Sequence, residues 1–216
     1  MKVVLFTPRS GSTYTAKKLA QEHNLEYANE IFFSGPWPEN RQPNYEEMYN
    51  NYFDVLINGL DKYKDAVVKI TPQQIRNICS RKNIKFTMFF KMLKPHTSKF
   101  YFCVRENLSD QLKSLYALMA LSNDIPDNKT IEEFAHMSWE GTKFLPHNEQ
   151  YLEQAKYIIQ ADLEMLSVMY NKTPDDKKQL LIYENWANIN DKYTREIEFE
   201  KDVFNMDLKL NNYFEF

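Results

Sequence analysis

Glycine is scarce in this chain, with 4 in 216 residues, and cysteine is scarcer, with 2. So little glycine, beside 43% hydrophobic and 15% aromatic residues, excludes a flexible low-complexity polymer and describes a packed globular protein. Cys79 and Cys103 are too few for a disulfide framework and lack metal-ligand spacing, so both are expected as free, buried thiols with no metal site between them. No run approaches the roughly 20 apolar residues that cross a bilayer, and Met1–Phe6 is far too short for a signal-peptide core. A cytoplasmic protein without a membrane partner is the expectation. An excess of one charge is missing too: the formal net charge is −3 and the pI near 5.9, which argues against broad electrostatic capture of nucleic acid. Any anion must then be bound locally.

What is present reads as one α/β domain over residues 1–216, with a core over about 1–186 and an irregular, aromatic tail over 191–216. Lys2 to Phe6 is a short, apolar, β-branched run of the kind found in a strand buried on both faces. Asp65 to Ile70, Lys99 to Val104 and Gln179 to Tyr183 repeat that character. Helical spacing follows the first run up to about His23 and recurs over 45–60, Phe86 to Leu93, Leu108 to Leu121 and Glu149 to Tyr170, with a Thr130/Glu133 capping box opening a segment to Trp139. Strands alternating with helices predict a three-layer fold whose mostly parallel sheet is covered on both faces. Pro36, Pro38 and Pro43 with Gly35 and Trp37 mark an irregular loop after the first unit.

The first strand runs into Thr7-Pro8-Arg9-Ser10-Gly11-Ser12-Thr13-Tyr14 and then into a helix. Such a turn places backbone N–H groups and small hydroxyls around the positive end of the helix, which makes an anion cradle. Gly11 permits the tight turn and close approach, Ser10, Ser12 and Thr13 add hydroxyls, and Arg9 adds a fixed, forked positive charge. The plainer reading is a strand-to-helix turn capped by Ser10 or Ser12. The nucleotide-triphosphatase loop requires Gly-x-x-x-x-Gly-Lys-Ser/Thr; here Ser12 follows Gly11 and no upstream glycine stands in the loop, which disfavours a kinase or ATPase.

The octapeptide Thr7–Tyr14 resembles the 5′-phosphosulfate-binding loop of sulfotransferases that use 3′-phosphoadenosine-5′-phosphosulfate (PAPS). Tyr101-Phe102-Cys103-Val104-Arg105-Glu106-Asn107-Leu108, followed by Ser114-Leu115-Tyr116, resembles that family's 3′-phosphate segment, in which a strand ends in Arg and the next helix carries Ser. The family pattern has one residue fewer between this Arg and Ser, so Ser109 competes with Ser114 as the partner of Arg105. A weaker likeness is Leu181-Ile182-Tyr183-Glu184-Asn185-Trp186, similar to the Tyr-Glu-Asp-Leu run on a late strand of the family and read as structural.

The resemblance implies a P-loop-like sulfotransferase fold, PAPS as donor, and Pro8, Arg9, Ser10, Gly11, Ser12, Thr13, Tyr14 and Arg105 around it. It implies transfer of a sulfuryl group to a hydroxyl or amine of a small molecule or glycan, with Arg9 steadying the leaving phosphate electrostatically. Val68-Lys69-Ile70-Thr71-Pro72 has Thr71 where the animal cytosolic branch has its histidine base. Other branches use a Glu shortly after the first helix, and Glu30 stands there, with Glu26 as competitor and His96 as the best placed of the four histidines. Apolar neighbours in sequence are expected to surround Glu30 and to make it a more capable base. Lys69, at the end of the second buried strand, is the candidate for contact with acceptor or sulfuryl group. Two rivals are a phosphoryl-transfer or nucleotide enzyme with an atypical loop, and a binding protein that keeps the pocket without catalysis. The oligomeric state is not legible.

Overall fold

The computed structural model describes residues 1–31, 59–121, 143–186 and 197–214. Among them run seven strands: β1 (Lys2–Phe6), β2 (Glu26–Glu30), β3 (Ala66–Ile70), β4 (Lys99–Val104), β5 (Lys143–Leu145), β6 (Lys178–Ile182) and β7 (Ile197–Phe199). Five form a sheet in the order β2-β3-β1-β4-β6, every pairing parallel, and β5 pairs with β7 in a small second sheet. The three-layer α/β architecture expected from the alternation of strands and helices is what the chain adopts.

The helices are α1 (Ser12–Glu22), α2 (Pro72–Arg81), α3 (Phe86–Leu93), α4 (Leu108–Ala120), α5 (Glu149–Asn171) and the single turn α6 (Tyr183–Trp186). Strand side chains alternate between two faces, and each face has its own apolar cluster. Val4, Phe6, Val67, Tyr101 and Cys103 pack against Ala16, Leu19 and Ala20 of α1. Val3, Leu5, Val68, Phe100 and Phe102 point the other way, to Ile75, Phe89, Leu112, Ile159 and Leu163 of α2 to α5. Burial on both sides explains why β1, β3 and β4 read as continuous apolar runs.

The starts of α2, α4 and α5 are set by side chains. Thr71 and Gln74 form a reciprocal capping box at α2, Asn107 accepts from the Asp110 N–H at α4, and Asn148 accepts from the Tyr151 N–H at α5. Thr71, at the place of the animal branch's histidine, is therefore a helix cap.

Several expectations are revised. Glu26 to Glu30 is an edge strand, although its polar Glu-Tyr-Ala-Asn-Glu gives no apolar run. The strand expected over Gln179 to Tyr183 is displaced by one residue, because Tyr183 opens α6. The tail carries β7 and lays Phe204, Leu210 and Phe214 into the larger core cluster, so that core extends beyond residue 186. The capping box at Thr130, the proline-marked loop and nearly all of the helix expected over 45–60 lie outside the described residues.

Candidate active site at the carboxyl edge of the sheet

Because the five strands are parallel, their C-terminal ends share one edge, where connections cross and ligands of open α/β sheets collect. From one side to the other this edge presents Glu30, Lys69, the turn after β1, Arg105 and Glu184.

The turn after β1 is wound tightly. The Ser10 N–H donates to the Thr7 carbonyl (3.2 Å), Arg9 holds φ 63°, and Gly11 holds φ 76° as the cap of α1. Two residues in the left-handed region turn the chain so that α1 starts directly behind the strand. Neither Ser10 nor Ser12 caps the helix; the first intrahelical bond runs from the Thr15 N–H to the Gly11 carbonyl (3.1 Å). The N–H groups of Ser12, Thr13 and Tyr14 thus have no intrahelical partner, the arrangement that suits an anion. A Cβ on Gly11 would lie 2.1 Å from the Tyr183 ring, so the close approach for which glycine was expected is made here by an aromatic side chain.

Three polar side chains, two of them fully buried, brace this turn from below. Gln111 of α4, fully buried, donates through Nε2 to Thr7 Oγ1 and to the Pro8 carbonyl, each at 2.6 Å. Cys103 of β4 donates its single S–H to the Ser10 carbonyl (3.5 Å), and its sulfur meets the hydroxyls of Thr15 (3.5 Å) and Ser10. Burial pushes the Cys103 thiol up to about 11, against the opposing pull of its bonds to Thr15 and Ser10, so it is a protonated structural group rather than a nucleophile. Ser114 Oγ accepts from Arg9 Nε at 2.8 Å.

The last bond alters the expected pairing. Ser114 reaches Arg9, one strand away from Arg105, because Gln111 and Ser114 stand at i and i+3 on the face of α4 turned to the β1 turn. Ser109 sits half-buried in the first turn of α4. The carboxylate partners of Arg105 are Glu184 (Nε to Oε1, 3.1 Å) and Asp110 (Nη2 to Oδ2, 3.6 Å), and its guanidinium carbon lies 5.6 Å from the Tyr183 ring centroid. Tyr14 meets the same ring edge-on at 6.4 Å. Tyr183 therefore spans the interval between Gly11 and Arg105, and the two arginine-bearing turns belong to one edge.

On the other side of the turn, Lys69 is almost completely buried; its Nζ donates to Thr13 Oγ1 (2.7 Å) and pairs with Glu30 Oε1 (3.3 Å). Gln74 Nε2 donates to the other Glu30 oxygen (2.6 Å) while Gln74 caps α2. The carboxylate of Glu30 thus meets a cation and an amide donor; Phe32 and Phe33, two of the apolar neighbours expected around it, lie outside the described residues. Glu26 begins β2, at the opposite edge of the sheet, which separates it from the site. His96 is also at that far edge, in the turn before β4, with its carbonyl on the Met1 amine and its ring on Asp61 (2.9 Å). The rings of His23 and His147 are engaged by Tyr101 and Glu149 respectively.

An open pocket of about 380 Å³ adjoins the Arg105 turn, lined by Glu106, Ile182, Asn185, Leu208, Lys209 and neighbouring tail residues. Among the described residues no helix is long and apolar enough to cross a membrane, and no group of three metal-ligating side chains occurs.

No family model matches the chain, and no curated protein matches it. Among solved structures, an unliganded sugar kinase from a Janibacter species aligns over 85% of this chain and 84% of its own, with a TM-score of 0.38 and 16% identity, a likeness too slight to bear on chemistry.

Proposed function

We propose that this protein is a sulfotransferase that moves a sulfuryl group from PAPS to a hydroxyl or amine of a small molecule or glycan. The observation that carries the reading is the neighbourhood of two arginine-bearing turns, Thr7–Thr13 and Arg105–Asn107, on the same edge of a parallel sheet and bridged by Tyr183. A donor with phosphate groups at both ends of its nucleoside requires two such anion sites. The residues fit it: unpaired N–H groups at the start of α1 with Arg9 on one side, the guanidinium of Arg105 on the other, and an open pocket beside the second.

PAPS supplies an activated sulfuryl group whose bond to the bridging phosphate oxygen breaks as the acceptor oxygen or nitrogen bonds to sulfur. Glu30 takes the acceptor's proton, and Gln74 and Lys69 hold its carboxylate in place at the end of β2. Arg9 and Lys69 flank the turn as fixed positive charges where negative charge grows on the leaving phosphate; Arg9 acts by field and hydrogen bonds, since a guanidinium does not give up its proton. A specific observation weighs against magnesium-dependent phosphoryl transfer. That chemistry places the metal on the hydroxyl in the first turn after the loop. Here that hydroxyl, Thr13 Oγ1, already accepts from the buried ammonium of Lys69, a cation that repels another.

The test is thermal stabilisation. Adenosine 3′,5′-bisphosphate, the desulfated donor, should raise the melting temperature and ATP with magnesium should not, and Arg9→Ala and Arg105→Ala should each abolish the shift. A shift with magnesium ATP alone would overturn the reading. If the bisphosphate binds and Glu30→Gln removes transfer while keeping that binding, the enzyme reading stands over a catalytically silent binding protein.

A further inference from the structure

Three donors converge on the carboxylate of Glu184. Its Oε1 accepts from Arg105 Nε (3.1 Å) and the Asn107 N–H (3.2 Å), and its Oε2 from the Glu106 N–H (2.9 Å). Glu184 thereby ties α6 to the end of β4 and the start of α4, and it holds the inner edge of the Arg105 guanidinium. The outer edge faces differently. Nη2 is 3.6 Å from Asp110, whose side chain is 51% exposed and also accepts from Asn107 Nδ2 (2.9 Å).

We infer that Glu184 is a positioning residue that turns the terminal nitrogens of Arg105 outward, and that Asp110 is the counter-ion which a ligand's second phosphate displaces. The inference rests on the proposed donor and concerns its 3′-phosphate. A phosphate monoester binds a guanidinium through two nitrogens at once, and with Nε taken by Glu184 the side-on pair is occupied, which leaves the terminal pair as the fork for the ligand. Displacing Glu184 would strip three hydrogen bonds, two of them from backbone N–H groups at a helix start. Displacing Asp110 removes one long, solvent-screened ion pair, so Asp110 yields first. The two carboxylates on one arginine therefore act in opposite senses: Glu184 aids capture of the second phosphate, and Asp110 opposes it.

The experiment titrates adenosine 3′,5′-bisphosphate and adenosine 5′-monophosphate into the full chain and two variants, by calorimetry at two salt concentrations. Wild type should prefer the bisphosphate. Glu184→Gln should lose about tenfold in bisphosphate affinity with the monophosphate unchanged, and Glu184→Asp should restore part of the preference. Asp110→Asn, at an exposed site, should gain about two- to fivefold for the bisphosphate only. A Glu184→Gln protein that keeps the full preference, or an Asp110→Asn protein that binds the bisphosphate more weakly, overturns the assignment. Wild type unable to distinguish the two nucleotides overturns the donor reading itself, and this inference with it.

Discussion

The turn after β1 and the turn after β4 lie side by side, carry one arginine each, and lead into helices of similar length, yet they are held by different forces. Neutral groups brace the first from below, an amide and a thiol with Gln111 and Cys103 fully buried, and its two cations, Arg9 and the buried Lys69, meet hydroxyls rather than carboxylates within it. Charges hold the second: Arg105 between Glu184 and Asp110, all within reach of water. Buried neutral hydrogen bonds are indifferent to salt and to pH near neutrality, whereas exposed ion pairs are screened. A rigid first turn beside a retunable second suits a site that aligns a reacting group at one end and grips a ligand at the other.

The contrast can be broken most severely at Gly11. Gly11→Ala places a Cβ against the Tyr183 ring at a positive φ, and the loss expected is about 2–4 kcal/mol of stability by urea denaturation together with all nucleotide binding. Replacing Gln111 with Leu strands the Pro8 carbonyl and should cost about 1–3 kcal/mol. That cost should be equal at low and high salt; a salt-dependent cost would remove the distinction between the two turns.

A buried charge far from both turns gives the comparison a reference. Asp162 of α5 is fully buried against Arg76 of α2, and burial, only partly offset by that arginine, pushes its carboxyl up to about 6 from 3.8. The folded chain thus holds this proton more tightly than the unfolded one. The contribution of Asp162 to stability is greatest below pH 3.8 and falls as pH rises towards about 6. Relative to Asp162→Asn, which cannot titrate, wild type should lose about 2 kcal/mol across that window, read from denaturation midpoints at each pH. The smallest effect is expected at Lys113, whose ion pair with Asp202 on the tail is exposed. Lys113→Ala should change stability by no more than about 0.5 kcal/mol, and less in high salt.

Sequence patterns reveal this molecule unevenly, for physical reasons. β1, β4 and α3 are legible to the residue, because burial on both faces forces apolar runs and a helical face forces its period. β2 is not, since an edge strand needs no apolar run, and the three-residue β5 and β7 are too short to show alternation. In the site, Gly11, Arg9 and Arg105 declare themselves through local chemistry at strand ends. The brace does not. Gln111 reads as one more polar residue on a helix, and only its i, i+3 relation to Ser114 sets the two on the face that meets the loop. The partner of Ser114 was equally hidden, because which arginine a helical serine meets depends on the rotation of α4 against the sheet. Glu184, inside a motif read as structural, gives no sign in sequence that its oxygens face Arg105.

The strand that carries the first turn is the middle of the sheet, with Lys2 beside Val67 on one flank and Lys99 on the other. β1 must therefore wait for strands that follow it by about 65 and 97 residues, and the loops so closed are long. Assembly from denaturant should be slow for a chain of this size, and the anion cradle, wholly dependent on the centre of the sheet, should form only once β3 and β4 have both joined β1.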